Sequence, residues 1–230
     1  MKRLFAILAF ACAMSMTALA QVGSPRSTFA FGASGGVTMS NVSFTPKIKQ
    51  DLYMGKSFGL AARYTSEKYF FLVCAAQLEA NIAERGWQER IEDGSGNEYY
   101  RSMTYLEVPF FAHLGVGREA RGLQAFLNLG PQIGILLNET ETYGGQEPWD
   151  TSKRPNGVIE QYGKDIENRF EYGITGGLGV ELKTGIGNFS LEGRYYFGLS
   201  DIFGNSKKDY FSRSASTTIY ARLAYMFEIK

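Results

Sequence analysis

The sequence predicts an all-β protein, an eight-stranded antiparallel up-and-down transmembrane β-barrel with short periplasmic turns and long extracellular loops. Three observations carry that expectation. Eight stretches place uncharged, mostly apolar side chains at every second position, and a period of two means strands whose successive side chains point to opposite faces. Across those stretches the apolar flank carries no charge except Lys56 at one strand end, as hydrocarbon requires, since a mid-membrane charge on that face costs about 2–4 kcal/mol. Connections between stretches alternate short and long, the pattern of periplasmic turns and external loops.

In chain order, the first element is an export signal over residues 1–20. Lys2 and Arg3 give its positive start, Leu4 to Ala13 its apolar stretch, and Ala18-Leu19-Ala20 a small-x-small cleavage site before Gln21. The apolar run is too short for a helical anchor, and Cys12 sits too early for a lipoprotein site. Residues 21–27 form a short periplasmic leader and residues 28–230 the barrel. Losing Lys2 and Arg3 takes the basic count from 24 to 22 against 23 acidic residues, a net charge near −1. Nothing basic points to nucleic acid. Cys74 is then the only cysteine, so no intrachain disulfide forms. Glycine, 27 of 230 residues, exceeds the usual ~7%, as strands that bend sharply around a small barrel require.

The first strand alternates Phe29, Phe31, Ala33, Gly35, Val37 and Met39 with Ala30, Gly32, Ser34, Gly36, Thr38 and Ser40. The second sets Phe58, Leu60, Ala62 and Tyr64 against Ser57, Gly59, Ala61 and Arg63; Lys56, at its end, snorkels to the headgroups. The third sets Phe70, Leu72, Cys74, Ala76, Leu78, Ala80 and Ile82 against Gln77, Glu79 and Asn81. In the fourth, Leu106, Val108, Phe110, Ala112, Leu114 and Val116 oppose Tyr105, Glu107, Phe111 and His113. The fifth runs Leu123, Ala125, Leu127, Leu129, Ile133, Ile135, Leu137, opposite Gln124, Asn128, Gln132 and Asn138. The sixth runs Phe170 to Leu182 in even positions, backed by Arg169, Glu171, Glu181 and Lys183. Phe189 to Leu199 in odd positions define the seventh, opposite Glu192 and Arg194; Ile219 to Ile229 define the last, opposite Tyr220, Arg222 and Glu228.

Short turns fall at Thr65–Lys68, Arg118–Arg121 and Thr184–Asn188; long loops occupy Asn41–Tyr53, Glu84–Glu98, Glu139–Asn168 and Asp201–Ser216. Girdle aromatics are expected at Phe29, Tyr64, Tyr69, Phe70, Phe189 and Phe227 on the periplasmic side, and at Tyr99, Tyr100, Tyr172 and Phe197 on the outer side. Pro109 and Pro131 interrupt strands, and each is expected to mark a bulge.

An eight-stranded barrel is only wide enough for its own side chains, so inward charges must pair. Glu79, Glu107, Glu171, Glu181, Glu192 and Glu228 are set against Arg63, Arg169, Lys183, Arg194 and Arg222. Arg63, Glu79, Glu107, Glu192, Arg194 and Arg222 form the expected lumen set, structural rather than catalytic. His113, the only histidine, would serve a lipid-modifying serine hydrolase, but no serine is placed beside it by the sequence. Gly173, Gly176, Gly177 and Gly179 mimic a phosphate loop, yet they lie inside a strand with no helix after it. No catalytic, cofactor or metal set emerges. The longest loop carries Tyr143, Trp149 and Tyr162, a composition suited either to a partner surface or to strand extensions covering the barrel mouth.

Specific strings add to the pattern. Tyr105-Leu106-Glu107-Val108-Pro109, then Asn128-Leu129-Gly130-Pro131-Gln132-Ile133-Gly134, then Leu191-Glu192-Gly193-Arg194-Tyr195-Tyr196-Phe197-Gly198-Leu199 resemble the PorT-like outer-membrane β-barrel family, typical of Bacteroidetes. The resemblance implies an eight-stranded barrel in the cell outer membrane, not participation in secretion. The expected role is non-enzymatic, a structural or interaction platform with a filled lumen, in contact with outer-membrane lipid and lipopolysaccharide and with a protein partner at its extracellular loops. A lipid-modifying enzyme and a narrow solute channel are the alternatives.

Overall fold

The computed structural model describes residues 27–66, 72–117, 121–145, 149, 151, 154 and 157–229. The expected signal over residues 1–20, most of the leader, and Lys68, Tyr69, Phe70 and Arg118 lie outside the described residues. Within them the chain forms β1 (Thr28–Thr45), β2 (Gln50–Asp51), β3 (Tyr53–Thr65), β4 (Leu72–Glu89), β5 (Glu98–Gly117), β6 (Gly122–Gly144), β7 (Phe170–Lys183), β8 (Asn188–Asp201) and β9 (Arg213–Ile229). The two-residue β2 pairs only with β4. The other eight pair antiparallel in sequence order, and β9 returns to β1, so the sheet is closed.

Closure carries a measurable stagger. Stepping from Thr28 through its partners Thr65, Ala75, His113, Asn128, Gly177, Arg194 and Tyr220 leads back to β1 at Thr38, ten residues further along. With about 3.3 Å per residue and about 4.8 Å between strands, that stagger tilts the strands by roughly 40°, within the range for small barrels.

The outward face matches the predicted alternation. Phe31, Leu60, Leu78, Phe110, Leu129, Ile174, Leu191 and Leu223 all stand exposed on the wall, while their alternate neighbours are buried or half-buried. The prolines behave differently from expectation. Strand pairing lapses at Glu79 and Ala80 beside Pro109, and at Phe110 and Phe111 beside Pro131, yet the register resumes unshifted beyond each gap. Each proline simply lacks one ladder donor. The register shift lies higher, where Tyr105 faces Leu136 but Thr104 faces Asn138. Leu137 is the extra residue, so Asn138, expected inward, is turned out, and Glu139 and Glu141 come to face Arg101 inside.

Above the apolar band the strands continue into segments predicted as loops. β1 reaches Thr45, β4 reaches Glu89, β5 starts at Glu98 and β6 reaches Gly144. There the polarity of the wall inverts. Val42, Phe44, Trp87, Tyr99 and Met103 point inward and are buried, while Ser43, Thr45, Ser102 and Thr140 face out. Ile48, Val158, Ile166, Ile202, Phe203 and Phe211 fold in from the connections to complete one apolar core across the barrel mouth. Tyr99, expected in the outer girdle, is a fully buried member of that core. Lipid surrounds the band and water surrounds the rim, so each segment hides from its own solvent what that solvent rejects.

Leu178 is 68% exposed midway up the band. Leu178→Arg is expected to lower the unfolding free energy by about 2–4 kcal/mol, read by guanidinium titration of protein refolded into lipid vesicles. Thr140→Arg, on the outer face of the rim, should change it by less than about 0.5 kcal/mol.

Candidate functional site

The interior below the mouth is a stack of paired charges supplied by alternate residues of β3, β4, β5, β7, β8 and β9. At its centre Glu79 of β4 receives two bonds from Arg194 of β8, Nη1 to Oε2 at 2.8 Å and Nη2 to Oε1 at 2.6 Å. Arg222 of β9 donates to the same carboxylate at 2.7 Å, and Asn81 and Gln77 donate to it from the same strand. One carboxylate thus serves two guanidinium groups, and Glu192 supplies the second negative charge, 2.7 Å from Arg194. Arg194 also lies over the Phe111 ring, 4.6 Å from its centroid.

A second cluster lies toward the periplasm. Arg63 donates to Gln77 at 2.7 Å and pairs with Glu181 at 2.5 Å; Lys183 stands 3.9 Å from the other Glu181 oxygen. A third lies toward the mouth. Arg85 pairs with Glu107 at 3.1 Å and Glu171 at 2.5 Å, is stacked against Tyr105 and Tyr196, and Tyr220 donates to Glu107 at 2.7 Å. Only about 10 Å³ remains free among Ser34, Gln77, Glu79, Ser190 and Arg222, room for no more than about one water.

Of the predicted set, Glu79, Glu192, Arg194 and Arg222 meet in the central cluster, Arg63 joins it through Gln77, and Glu107 belongs to the upper one. Two predicted lumen charges are elsewhere. Arg169 is exposed just before β7, because the strand begins one residue later. Glu228 is half-exposed at the periplasmic end and accepts from Asn188 at 2.7 Å rather than pairing with an arginine. Sequence reasoning misses Arg85, partner of both Glu107 and Glu171. It falls in a segment predicted as a loop, although Ala83, Arg85, Trp87 and Glu89 continue the inward parity of Glu79 and Asn81.

Crowding explains several glycines of this interior. A Cβ on Gly36 would lie 2.2 Å from the Ala221 carbonyl oxygen, and one on Gly59 would lie 1.9 Å from Asn81 Oδ1. Both distances are impossible, so the central cluster closes only over bare backbone.

His113 is buried in the lumen, its Nδ1 2.8 Å from Asn128 Oδ1, while the Asn128 amide nitrogen donates to Glu192 at 2.8 Å. With the amide oriented by Glu192, the imidazole Nδ1 carries the proton. Its ring faces Phe126, and no serine oxygen is among its hydrogen-bond partners. Cys74 is a free thiol beside the outward-facing Ala76 and Phe110. No group of three potential metal ligands occurs among the described residues.

The rim carries a second constellation. Tyr99, Tyr143, Trp149 and Tyr162 pack mutually, with centroids 4.8 to 6.4 Å apart. Tyr99 and Tyr143 donate to Glu141 at 2.7 and 3.0 Å, Tyr162 donates to Glu89 at 2.6 Å, and Arg101 binds Glu141 and, at 2.6 Å, the Lys164 carbonyl. Burial pushes the Tyr99 and Tyr162 phenols well above the usual tyrosine value, so both stay protonated as donors. Of the two readings of the longest loop, the strand extension that covers the mouth is the one seen here, with Tyr143 half-exposed.

A family model described as outer membrane protein beta-barrel domain matches residues 19–204. No curated protein matches the chain. Among solved structures, the chain is similar to Neisserial surface protein A, at 10% identity over 87% of this chain and 97% of that one, TM-score 0.45. It is similar to the outer membrane protein OprG from Pseudomonas aeruginosa, at 12% identity over 90% and 95%, TM-score 0.45. It is also similar to the outer membrane enzyme PagL, at 9% identity over 87% and 99%, TM-score 0.38.

Glu79→Ala removes the carboxylate that Arg194 and Arg222 share, leaving Glu192 as the one carboxylate of the central cluster, and is expected to cost about 3–5 kcal/mol of unfolding free energy. Replacing the whole cluster, Glu79→Leu and Glu192→Gln with Arg194→Met and Arg222→Met, should recover most of that loss. Guanidinium unfolding in vesicles reads both; a single-mutant loss below about 1 kcal/mol contradicts the shared-carboxylate geometry.

Proposed function

This chain belongs to the outer membrane protein beta-barrel domain family, and we propose that it serves there as a non-enzymatic, closed barrel: a structural element and interaction platform of the outer membrane. The observation that carries this reading is the double seal. Side chains pair across the lumen, with about 10 Å³ free at the central cluster, and an apolar core closes the mouth above it. A solute path has no room in such an interior, and the elaborated surface is the extracellular rim.

The enzyme reading finds less support. A hydrolase acting on membrane lipid needs its nucleophile and base where acyl chains reach, on the outer wall. His113 points the other way, and its hydrogen-bond partner is an asparagine. For partners, the apolar band suits outer-membrane lipid and lipopolysaccharide, with Lys56 exposed beside Val37 at its upper margin to meet phosphate groups. The near-neutral charge supports no nucleic-acid partner. A protein partner belongs at the rim, and kinship with PorT-like secretion components rests on the three strand strings alone.

Purified protein in planar lipid bilayers is expected to give no steady conductance at 100 mV (~2.3 kcal/mol per charge), and lipid profiles of a deletion strain should match the parent. Steady single-channel currents would support the channel reading, and accumulation of an unprocessed lipid in the deletion strain would support the enzyme.

A further inference from the structure

Strands that rise above a membrane expose the edges that closure hides within it, and an open edge is a template for pairing. Around this rim, edges are covered by side chains imitating a neighbouring strand. The Gln50 amide takes the place of a strand beside β1: Val42 N–H donates to its Oε1 at 3.1 Å, and its Nε2 donates to the Val42 carbonyl at 2.7 Å. On β4, the Ser40 hydroxyl accepts from Gly86 N–H at 2.8 Å and donates to the Gly86 carbonyl at 3.0 Å, while Thr38 donates to the Glu84 carbonyl at 2.6 Å. Tyr172 N–H donates to Ser200 Oγ, and Phe203 N–H to Ser214 Oγ, both at 3.0 Å.

β6 is different. Its upper part pairs with β5 from Asn138 to Gly144, but β7 begins only at Phe170 and its last partner on β6 is Ile135. One more bond follows, Leu136 N–H to the Arg169 carbonyl at 2.8 Å. That bond fixes the parity: below the bulge, even residues of β6 address β7. The extra residue Leu137 exchanges the two sets, so the peptide groups of Glu139, Glu141 and Tyr143 point away from β5. No hydrogen bond reaches them among the described residues. The segment descending to β7 passes one side-chain length away: Gly163 N–H donates to the Glu141 carboxylate and Ile166 N–H to Glu139 Oε1, each at 3.2 Å. The inward glutamates that would repel an added strand are engaged by Arg101.

We infer that the Glu139–Tyr143 edge of β6 is a docking site for an extended segment of another protein, added as an antiparallel strand in the line of β7. This names the partner class for the platform reading and rests on it. The occupant's character follows from the notch. Its direction is that of β7, toward the membrane. Its outward side chains lie beside Asn138, Thr140 and Thr142, so uncharged β-branched residues suit them. At the foot of the notch Arg169 is exposed with no ion-pair partner among the described residues, so an acidic residue fits near the membrane-proximal end. A second copy fits less well: two barrels in one membrane point the same way, so the β6 edges would meet parallel.

The test uses the purified full-length barrel in nanodiscs and a synthetic octapeptide of alternating threonine and valine with a C-terminal glutamate. Hydrogen exchange should be fast at the Glu139, Glu141 and Tyr143 amides, and slow by about tenfold or more when the peptide saturates. The same peptide N-methylated at alternate residues should give no slowing. Tyr143→Pro removes an edge donor without touching the β5 ladder, and should weaken peptide binding up to about tenfold relative to Tyr143→Ala. Amides already slow in the free protein, equal slowing by the N-methylated peptide, or none at about 1 mM overturns the docking site. Each of those results leaves bilayer conductance, the test of the platform reading, unaffected.

Discussion

Hydrocarbon offers a peptide group no hydrogen-bond partner, and this constraint decides most of the chain's architecture. A sheet in that solvent must close, and eight strands with a ten-residue stagger close on a narrow bore. The bore then dictates contents. Side chains from opposite walls touch, so what points inward must be small or must be matched. Gly36 and Gly59 answer the first need and the Glu79, Arg194 and Arg222 trio the second. Polarity of the interior is thus a consequence of apolarity outside, because alternation leaves only the inner face for groups that lipid refuses.

Paired charges in this interior do not act mainly as a source of stability. Desolvating two guanidinium groups and two carboxylates costs much of what their attraction returns. What the arrangement supplies is specificity of register. Arg194 fits Glu79 bidentately only when β4 and β8 stand at one relative height, and Arg85 reaches both Glu107 and Glu171 only when β5 and β7 do. A slip by one residue turns every member to lipid.

Legibility in the sequence follows the solvent. Inside the membrane one face is uniformly apolar, and the outward series Phe29 to Val37 or Phe170 to Leu182 is readable without other information. Above it, Val42, Phe44, Trp87 and Tyr99 keep period two but put the apolar residues on the inner face. To a lipid-facing template that inversion looks like the end of a strand, which is why Arg85 and Arg101 fall outside the predicted strands. The prolines mislead for a related reason. Pro109 and Pro131 announce lost donors, whereas the real shift at Leu137 involves a residue with no distinguishing chemistry. Ion-pair partners are legible as a set and not as pairs, since pairing depends on the stagger, which only the closed sheet reveals.

The displaced residue at Leu137 has a consequence for how such a surface diversifies. It works as a phase shifter: beneath it the wall obeys the bilayer, and beyond it the two faces trade places without any adjustment below. Insertions or deletions in the protruding hairpin can therefore alter what the cell shows to its surroundings while the anchoring cylinder keeps its alignment. Along β6 the adaptable and the constrained parts of the molecule meet at a single amino acid.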